Sequence, residues 1–344
     1  MQKSMKVSGR PVVSTSVLRS LRGTAGIVVA ALLLGGCSLF GTTEAFTHAA
    51  SLSVPKVPTI APSLPEVGWD VASAGSVGVL ADHKTVDVGG LQFSVSRFRN
   101  GMTGLNLHVG SEDPVTRPGQ VPAGSGNSVS TVERPLLVGV FNGGFKHPAD
   151  LGGFLVRGVS IHPLVSGAAS AVLFSDGSTE VGRWGVSVPN AQKQVVSVRQ
   201  NLPLLLVEHG QVNPEAANSA NWGTTLGSSP VVARSALGVD ALGNVLVADS
   251  MHATAATLAR AMVAGGAVTA METDINPYWV MLDTAAHPGG TLVERVPGQW
   301  HAPTVFLNGW TRDFFTVVAR HQVTCLPTFG SGSTVNVLRQ TCSV

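Results

Sequence analysis

Apolar and polar positions alternate in short runs along the first part of the chain. Val77 to His83, Thr85 to Val88, Leu91 to Arg99 and Leu105 to Val109 are separated by turn residues such as Asp87-Val-Gly-Gly90 and Asn100-Gly101. A period of two puts successive side chains on opposite faces, so these runs predict short strands joined as hairpins. Asp113 to Asn127, rich in Pro, Gly and Ser, predicts a loop, either a rim over a site or a simple connection. Pro135 to Phe141 is an apolar strand that runs into Asn142-Gly-Gly-Phe145, and Ala171 to Phe174, Val195 to Arg199 and Leu202 to Glu208 predict further strands. Arg234 to Ser250 reads as two strands joined by a turn at Ala241 to Asn244. Ala253 to Ala264 predicts a helix, Ala-rich, with Leu258, Ala261 and Met262 on one face and Gly265-Gly266 to supply a left-handed cap. A strand from Ala267 completes a crossover unit, which brings Asp249 and Asp274 to one edge if the flanking strands are parallel neighbours.

That last strand turns polar where it ends. Glu272 and Asp274 stand two apart after Val268, Ala270 and Met271, and Pro277 stops the run. Residues i and i+2 of a strand share a face, so both carboxylates are expected in one cleft, beside Asn276, Tyr278 and Trp279. Acids, an amide and two aromatics suit a sugar or polyol; the competing reading is an exposed strand end with solvated acids. Asn142-Gly143-Gly144 is open in the same way, either a close backbone approach to a ligand or a hairpin turn. Asp249 is an alternative second carboxylate or a turn residue after a strand.

The amino terminus changes the picture. Lys3, Lys6, Arg10, Arg19 and Arg22 precede the apolar run Gly26 to Gly36, which ends in small residues beside Cys37. A basic flank and a short apolar core predict a secretory signal, and the run is short against the roughly 20 apolar residues of a membrane-crossing helix. Leu34-Gly-Gly-Cys37 resembles a bacterial lipobox, which implies lipidation at Cys37; an uncleaved signal anchor and plain secretion are the alternatives. The chain then divides into a leader at 1–37, a Pro- and Ser-rich tether at 38–65, and a folded domain at 66–344. Cys325 and Cys342 remain as a candidate disulfide, worth roughly 3 kcal/mol in the chain-entropy model, or as two free thiols.

Only 12% of the 344 residues are charged and 40 are Gly, which suits a β-rich exported protein. Of 22 basic residues, the five in the leader leave 17 against 20 acidic ones, a net charge of −3. With no downstream cluster of Lys and Arg, this argues against a nucleic-acid partner. There is no Gly-x-Ser-x-Gly elbow, no phosphate-binding loop ending in Gly-Lys-Ser/Thr and no His-Glu-x-x-His pair. The sequence calls for no cofactor and offers no metal-ligand spacing, and it leaves the oligomeric state open.

Taken together, Val140-Phe-Asn-Gly-Gly-Phe145, Arg234-Ser-Ala-Leu-Gly238, Gly243-Asn-Val-Leu-Val-Ala248, Thr257-Leu-Ala-Arg-Ala-Met262 and Ala270 to Asp274 resemble the phosphodiester glycosidase family, the domain family of the lysosomal uncovering enzyme. The resemblance covers roughly Arg97 to Ala319. It implies one α+β domain with an extensive, mostly antiparallel or mixed β-sheet and few helices. Asn142, Gly143 and Gly144 match the family's Asn-Gly-Gly, Arg234 the Arg opening its second block, and Asp274 the Asp of its Asp-Gly-Gly-Gly-Ser motif. This chain departs at that motif: Asp274 is followed by Ile-Asn-Pro-Tyr278, and Glu272 stands where Asn is usual. The glycine nest that would hold an anion is therefore absent.

The function so implied is a cell-surface hydrolase cleaving a glycosidic bond, such as a sugar-1-phosphodiester, in envelope or extracellular glycan. Asp274 is assigned as nucleophile or base, Glu272 as its carboxyl partner and Arg234 as a clamp on phosphate. Asn142, Gly143, Gly144, Asn276, Tyr278 and Trp279 are expected to line the substrate. The membrane is the other expected partner, through an N-terminal lipid or anchor. The rival is a non-catalytic glycan-binding lipoprotein that keeps the family cleft.

Overall fold

Strands here form where β-branched and aromatic residues alternate with polar ones, and the Gly-containing turns between them close hairpins. The computed structural model describes residues 68–190, 192–223 and 229–320, together with the backbone of 326–328 and 339–341. The leader, the tether, Cys37, Cys325 and Cys342 lie outside the described residues, so the lipidation and disulfide expectations are not addressed by them.

The chain begins with β1 (Asp70–Gly75), β2 (Gly78–Val88), β3 (Leu91–Phe98) and β4 (Thr103–His108). Next come β5 (Leu137–Asn142), β6 (Phe154–Val156), β7 (Val159–His162), β8 (Ala169–Phe174), β9 (Thr179–Arg183) and β10 (Val195–Gln200). The short β11 (Val207–Glu208) and β12 (Gln211–Val212) precede β13 (Val232–Asp240), β14 (Val245–Ala253), helix α1 (Ala255–Gly265) and β15 (Ala267–Ile275). Finally come β16 (Leu282–Ala285), β17 (Leu292–Glu294), the one-turn α2 (Val305–Asn308), β18 (Phe314–Ala319) and the ribbon β19 (Leu326–Thr328) with β20 (Arg339–Thr341).

These strands build an eight-stranded sheet, β1-β2-β3-β14-β13-β15-β11-β12, and two five-stranded sheets, β17-β16-β5-β18-β4 and β7-β6-β10-β8-β9. Every pairing between named strands is antiparallel, which gives the predicted α+β class with its largely antiparallel sheets and few helices. One face of the large sheet carries Phe93, Ala236 and Leu246, and Leu258 and Met262 of α1 pack there. The other carries Phe98, Leu237, Val247 and Met271, which meet Phe141, Leu282 and Phe315 of the second sheet and Phe154, Ala171 and Val181 of the third. Alternation along each strand thus separates a helix-covered layer from a sheet-on-sheet layer. Among the described residues no helix is long and apolar enough to cross a membrane.

Helix α1 forms as its sequence predicts. Thr254 and Thr257 make a capping box, worth about 1 kcal/mol, and Gly266 ends the helix at φ 98°. Three details differ from expectation. Val77 to His83 and Thr85 to Val88 are one strand, β2, because β3 pairs with it continuously from Ala81 to Val88. Of Leu202 to Glu208 only Val207–Glu208 is strand; the preceding residues are held individually, Leu206 N–H donating to Ala270 O at 2.8 Å and Leu205 O accepting from the Asn213 amide. The crossover strands β14 and β15 are parallel, but β13 lies between them, antiparallel to both.

Candidate active site

The site forms where β15 ends. Between the pairs Arg234–Ile275 and Ala236–Glu272, one residue of β13, Ser235, faces two of β15, Thr273 and Asp274, so one residue of β15 is bulged out. Ser235, opposite the bulge, accepts from Thr273 Oγ1 (2.7 Å), Asp274 N (3.0 Å) and Asn142 Nδ2 (2.9 Å), and donates to Asp274 O (3.1 Å). The extra residue breaks the i, i+2 rule, and Glu272 and Asp274 take different cations.

Glu272 Oε1 meets Arg234 Nη1 at 2.5 Å, with both side chains wholly buried, and the same guanidinium nitrogen donates to Trp222 O. Burial pushes the Glu272 carboxyl up to about 7 against the pull of Arg234. Neither residue lines the cavity described below. Glu272 and Arg234 thus lie buried outside this cavity, apart from Asp274.

Asp274 does line a cavity. Its Oδ1 accepts from Ile275 N at 2.8 Å, and its Oδ2 lies 3.1 Å from Arg312 Nη2. Burial raises its pKa to about 8, outweighing Arg312. Arg312 is fixed by Gly144 O (2.8 Å) and by the Trp279 ring, whose centroid is 4.6 Å away. The cavity, of about 1110 Å³, has apolar walls of Phe145, Leu202 and Ile275, and its polar groups are Asp274, Asn276, Lys146, Glu215 and Asn221. Apolar walls with a few convergent polar groups are the usual make-up of a small-molecule site.

Asn142-Gly143-Gly144 is a scaffold rather than a ligand cradle. Asn142 Nδ2 bonds Ser235 Oγ and Gly143 O, and its Oδ1 accepts from Met281 N, so the amide tethers the second sheet to the first. Gly143 N donates to Asp313 O at 3.0 Å and Gly144 N to Asp313 Oδ2 at 3.2 Å. A Cβ on Gly143 would stand 2.0 Å from Asp313 Oδ2, which explains the glycine. Asp313 in turn holds Arg199 Nε at 2.7 Å, while Arg199 Nη1 takes Asp150 Oδ2 at 2.9 Å. The backbone N–H groups expected to meet substrate are thus spent on Asp313, and a close approach replaces the hairpin turn.

Of the residues expected at substrate, the cavity holds Asp274, Asn276 and Trp279. Asn276 adopts φ 90° and accepts from Tyr278 N, which turns the chain after β15. Tyr278 is partly exposed outside the cavity, packed edge-on to Trp279. Lys146, Glu215, Asn221 and Arg312 were missed. Arg312-Asp313 was legible in principle: two adjacent charges between Trp310 and Phe314, in a chain short of charge, point to a buried network. Lys146 and Glu215 carry no such signal. Asp249 is not a turn residue: it lies within β14 and is fully buried.

No family model and no curated protein matches the sequence. Among solved structures, the chain is similar to a zebrafish N-acetylglucosamine-1-phosphodiester alpha-N-acetylglucosaminidase catalytic domain auto-inhibited by its pro-peptide, at 13% identity over 73% of this chain and 88% of that one, TM-score 0.48. It is also similar to a hypothetical protein from Synechocystis (14% identity, 70% of this chain, 62% of that chain, TM-score 0.42). A third is a protein described as exported from Burkholderia pseudomallei (12%, 72% and 76%, TM-score 0.37).

Proposed function

We propose that the protein is an exported hydrolase of glycosidic bonds, acting on a sugar-1-phosphodiester or related linkage in envelope or extracellular glycan. The observation that carries this reading is Asp274: a carboxyl on the cavity wall, held protonated near neutral pH by burial, beside the Arg312 guanidinium. A carboxylic acid that keeps its proton at pH 7 suits general-acid work. Asp274 gives its proton to the leaving oxygen as the bond to the anomeric carbon breaks. Water supplies the new bond, and Glu215, on the same cavity, takes the water's proton. Lys146 attracts the phosphodiester charge, and Trp279 offers an aromatic wall to the sugar. Asp274 thus moves from the nucleophile or base of the sequence reading to acid, and Glu272 with Arg234 from reactants to support. The basic leader, the apolar run ending at Cys37 and the tether support a place at the cell surface, held by a lipid or signal anchor.

The test is hydrolysis of a panel of sugar-1-phosphodiesters and chromogenic glycosides by the purified protein, with Asp274→Asn and Glu215→Gln alongside. Turnover lost in both variants supports the assignment; turnover unchanged in Asp274→Asn sinks it. One observation favours the rival, a glycan-binding protein without turnover: of the expected carboxyl pair, Glu272 is locked against Arg234. Silence across the panel with glycan binding intact would establish that rival.

A further inference from the structure

A second cavity, of about 440 Å³, is walled by β2, β3, β14 and the segment 295–297. It is within the size range of small-molecule sites, roughly 300–1,000 Å³. His83, Ser94, Asp249, Met251, His252 and Arg295 line it. Asp249 is wholly buried, and neither of its carboxyl oxygens has a hydrogen-bond partner. Ser94 is its cross-strand partner, so the two side chains share one face of the sheet, and the Ser94 hydroxyl is also without a partner. Across the sheet interface Asp283 acts on Asp249 electrostatically; its Oδ1 accepts from Gln299 at 2.8 Å, while its Oδ2 has no partner.

Three carboxyl oxygens and a hydroxyl, buried and unpaired, form an unusual cluster. Each costs roughly 1–3 kcal/mol if left unsatisfied, and buried polar groups ordinarily find partners. The neighbouring side chains do not supply them. Arg295 Nε donates to Thr284 Oγ1 at 2.6 Å and its Nη2 lies 3.4 Å from Ala72 O, while His83 Nδ1 pairs with Ser96 Oγ at 3.2 Å. Ser235, the cross-strand partner of Asp249 on β13, is fully used at the bulge of β15.

We propose that this second cavity binds a neutral sugar unit, with Asp249 and Ser94 as its hydrogen-bonding floor. Burial and the neighbouring Asp283 favour the protonated form of the Asp249 carboxyl, so a ligand there must both donate to it and accept from it, and pair with the Ser94 hydroxyl as well. Adjacent ring hydroxyls do both. A bare cation would satisfy the carboxylates, but the Arg295 guanidinium on the same wall opposes it. Position supports a saccharide as well. Met251 and His252 also line a shallow depression of about 360 Å³, whose wall includes Asn276, a residue of the large cavity. That depression thus shares lining residues with both cavities. The second site rests on its own donors and acceptors, not on the hydrolytic reading of the first.

The test is saturation-transfer NMR and calorimetric titration of the intact protein with glucose, galactose and mannose, with sodium and ammonium chloride as the cation arm. At least one hexose should bind saturably, with affinity reduced tenfold or more in Asp249→Leu and in Ser94→Val. Ser94→Val serves if Asp249→Leu does not fold. Binding lost in Asp274→Asn but kept in Ser94→Val and Asp249→Leu would place the sugar in the large cavity and overturn the proposal. It fails equally if no hexose binds, or if sodium or ammonium binds in the hexose's place.

Discussion

Asp274 and Arg312 meet at 3.1 Å on the wall of the large cavity, yet burial keeps the carboxyl at a pKa of about 8. An acid that must be protonated to work loses activity as pH rises past its pKa. Turnover should therefore fall above about pH 8, and Asp274→Asn should lower kcat by roughly 10²–10⁴-fold, the usual range for general-acid catalysis. Circular dichroism should stay unchanged, because Asn still accepts from Ile275 N. A pH profile whose alkaline limb survives in Asp274→Asn would remove this residue from the chemistry.

Glu272 and Arg234 form a pair of another kind, buried outside the cavity. Removing one partner strands a charge, which costs about 3–5 kcal/mol, whereas replacing both with apolar groups of similar volume is often near neutral. Glu272→Leu alone should thus destabilise far more than Glu272→Leu with Arg234→Met, as measured by urea denaturation. If the single variant unfolds within 1 kcal/mol of the parent, the pair is not the internal support described here.

The same contrast shows what the sequence could reveal. Helix α1 and the β13–β14 hairpin were legible because their signals are local: a capping box, a terminal glycine, and a turn between two apolar runs. The polar end of β15 was legible as a candidate site because acids are scarce in this chain. Its facing was not. The bulge between Glu272 and Ile275 is set by pairing with β13, some 40 residues earlier, and it cancels the alternation on which a shared cleft depended. Arg199 and Asp313 are 114 residues apart, and nothing in either neighbourhood announces the other.

Gly143 is a residue where the fold should tolerate little. A Cβ there would meet Asp313 Oδ2 at 2.0 Å and the Asp313 carbonyl oxygen at 2.7 Å, and Asp313 is itself bound to Arg199. Gly143→Ala should cost roughly 1–3 kcal/mol or more, as overpacking does. Gly126→Ala, where a Cβ meets nothing within 4 Å, is the control and should change stability by less than about 0.5 kcal/mol. Equal midpoints for the two variants in urea would mean that Asp313 can move away freely.

Asp283 links the two sheets to pH. Burial first, and then the charge of Glu294, raise its carboxyl to about 7, although Gln299 donates to it and works in the opposite direction. In the unfolded chain the same group titrates near 3.9. Between these values the native state binds a proton that the unfolded state has lost, so this contribution to stability is complete below about pH 4 and disappears as pH rises through 7. Asp283→Asn removes the titration: its amide oxygen can still accept from Gln299, and its N–H groups provide donors at the interface with Asp249, whose carboxyl oxygens have no partner. The fall in Tm between pH 5 and pH 8 should accordingly be smaller in Asp283→Asn than in the parent. Each kcal/mol of that difference corresponds to roughly 2–4 °C in a domain of this size. Parallel Tm profiles for the two proteins would show that Asp283 does not hold a proton in the native state.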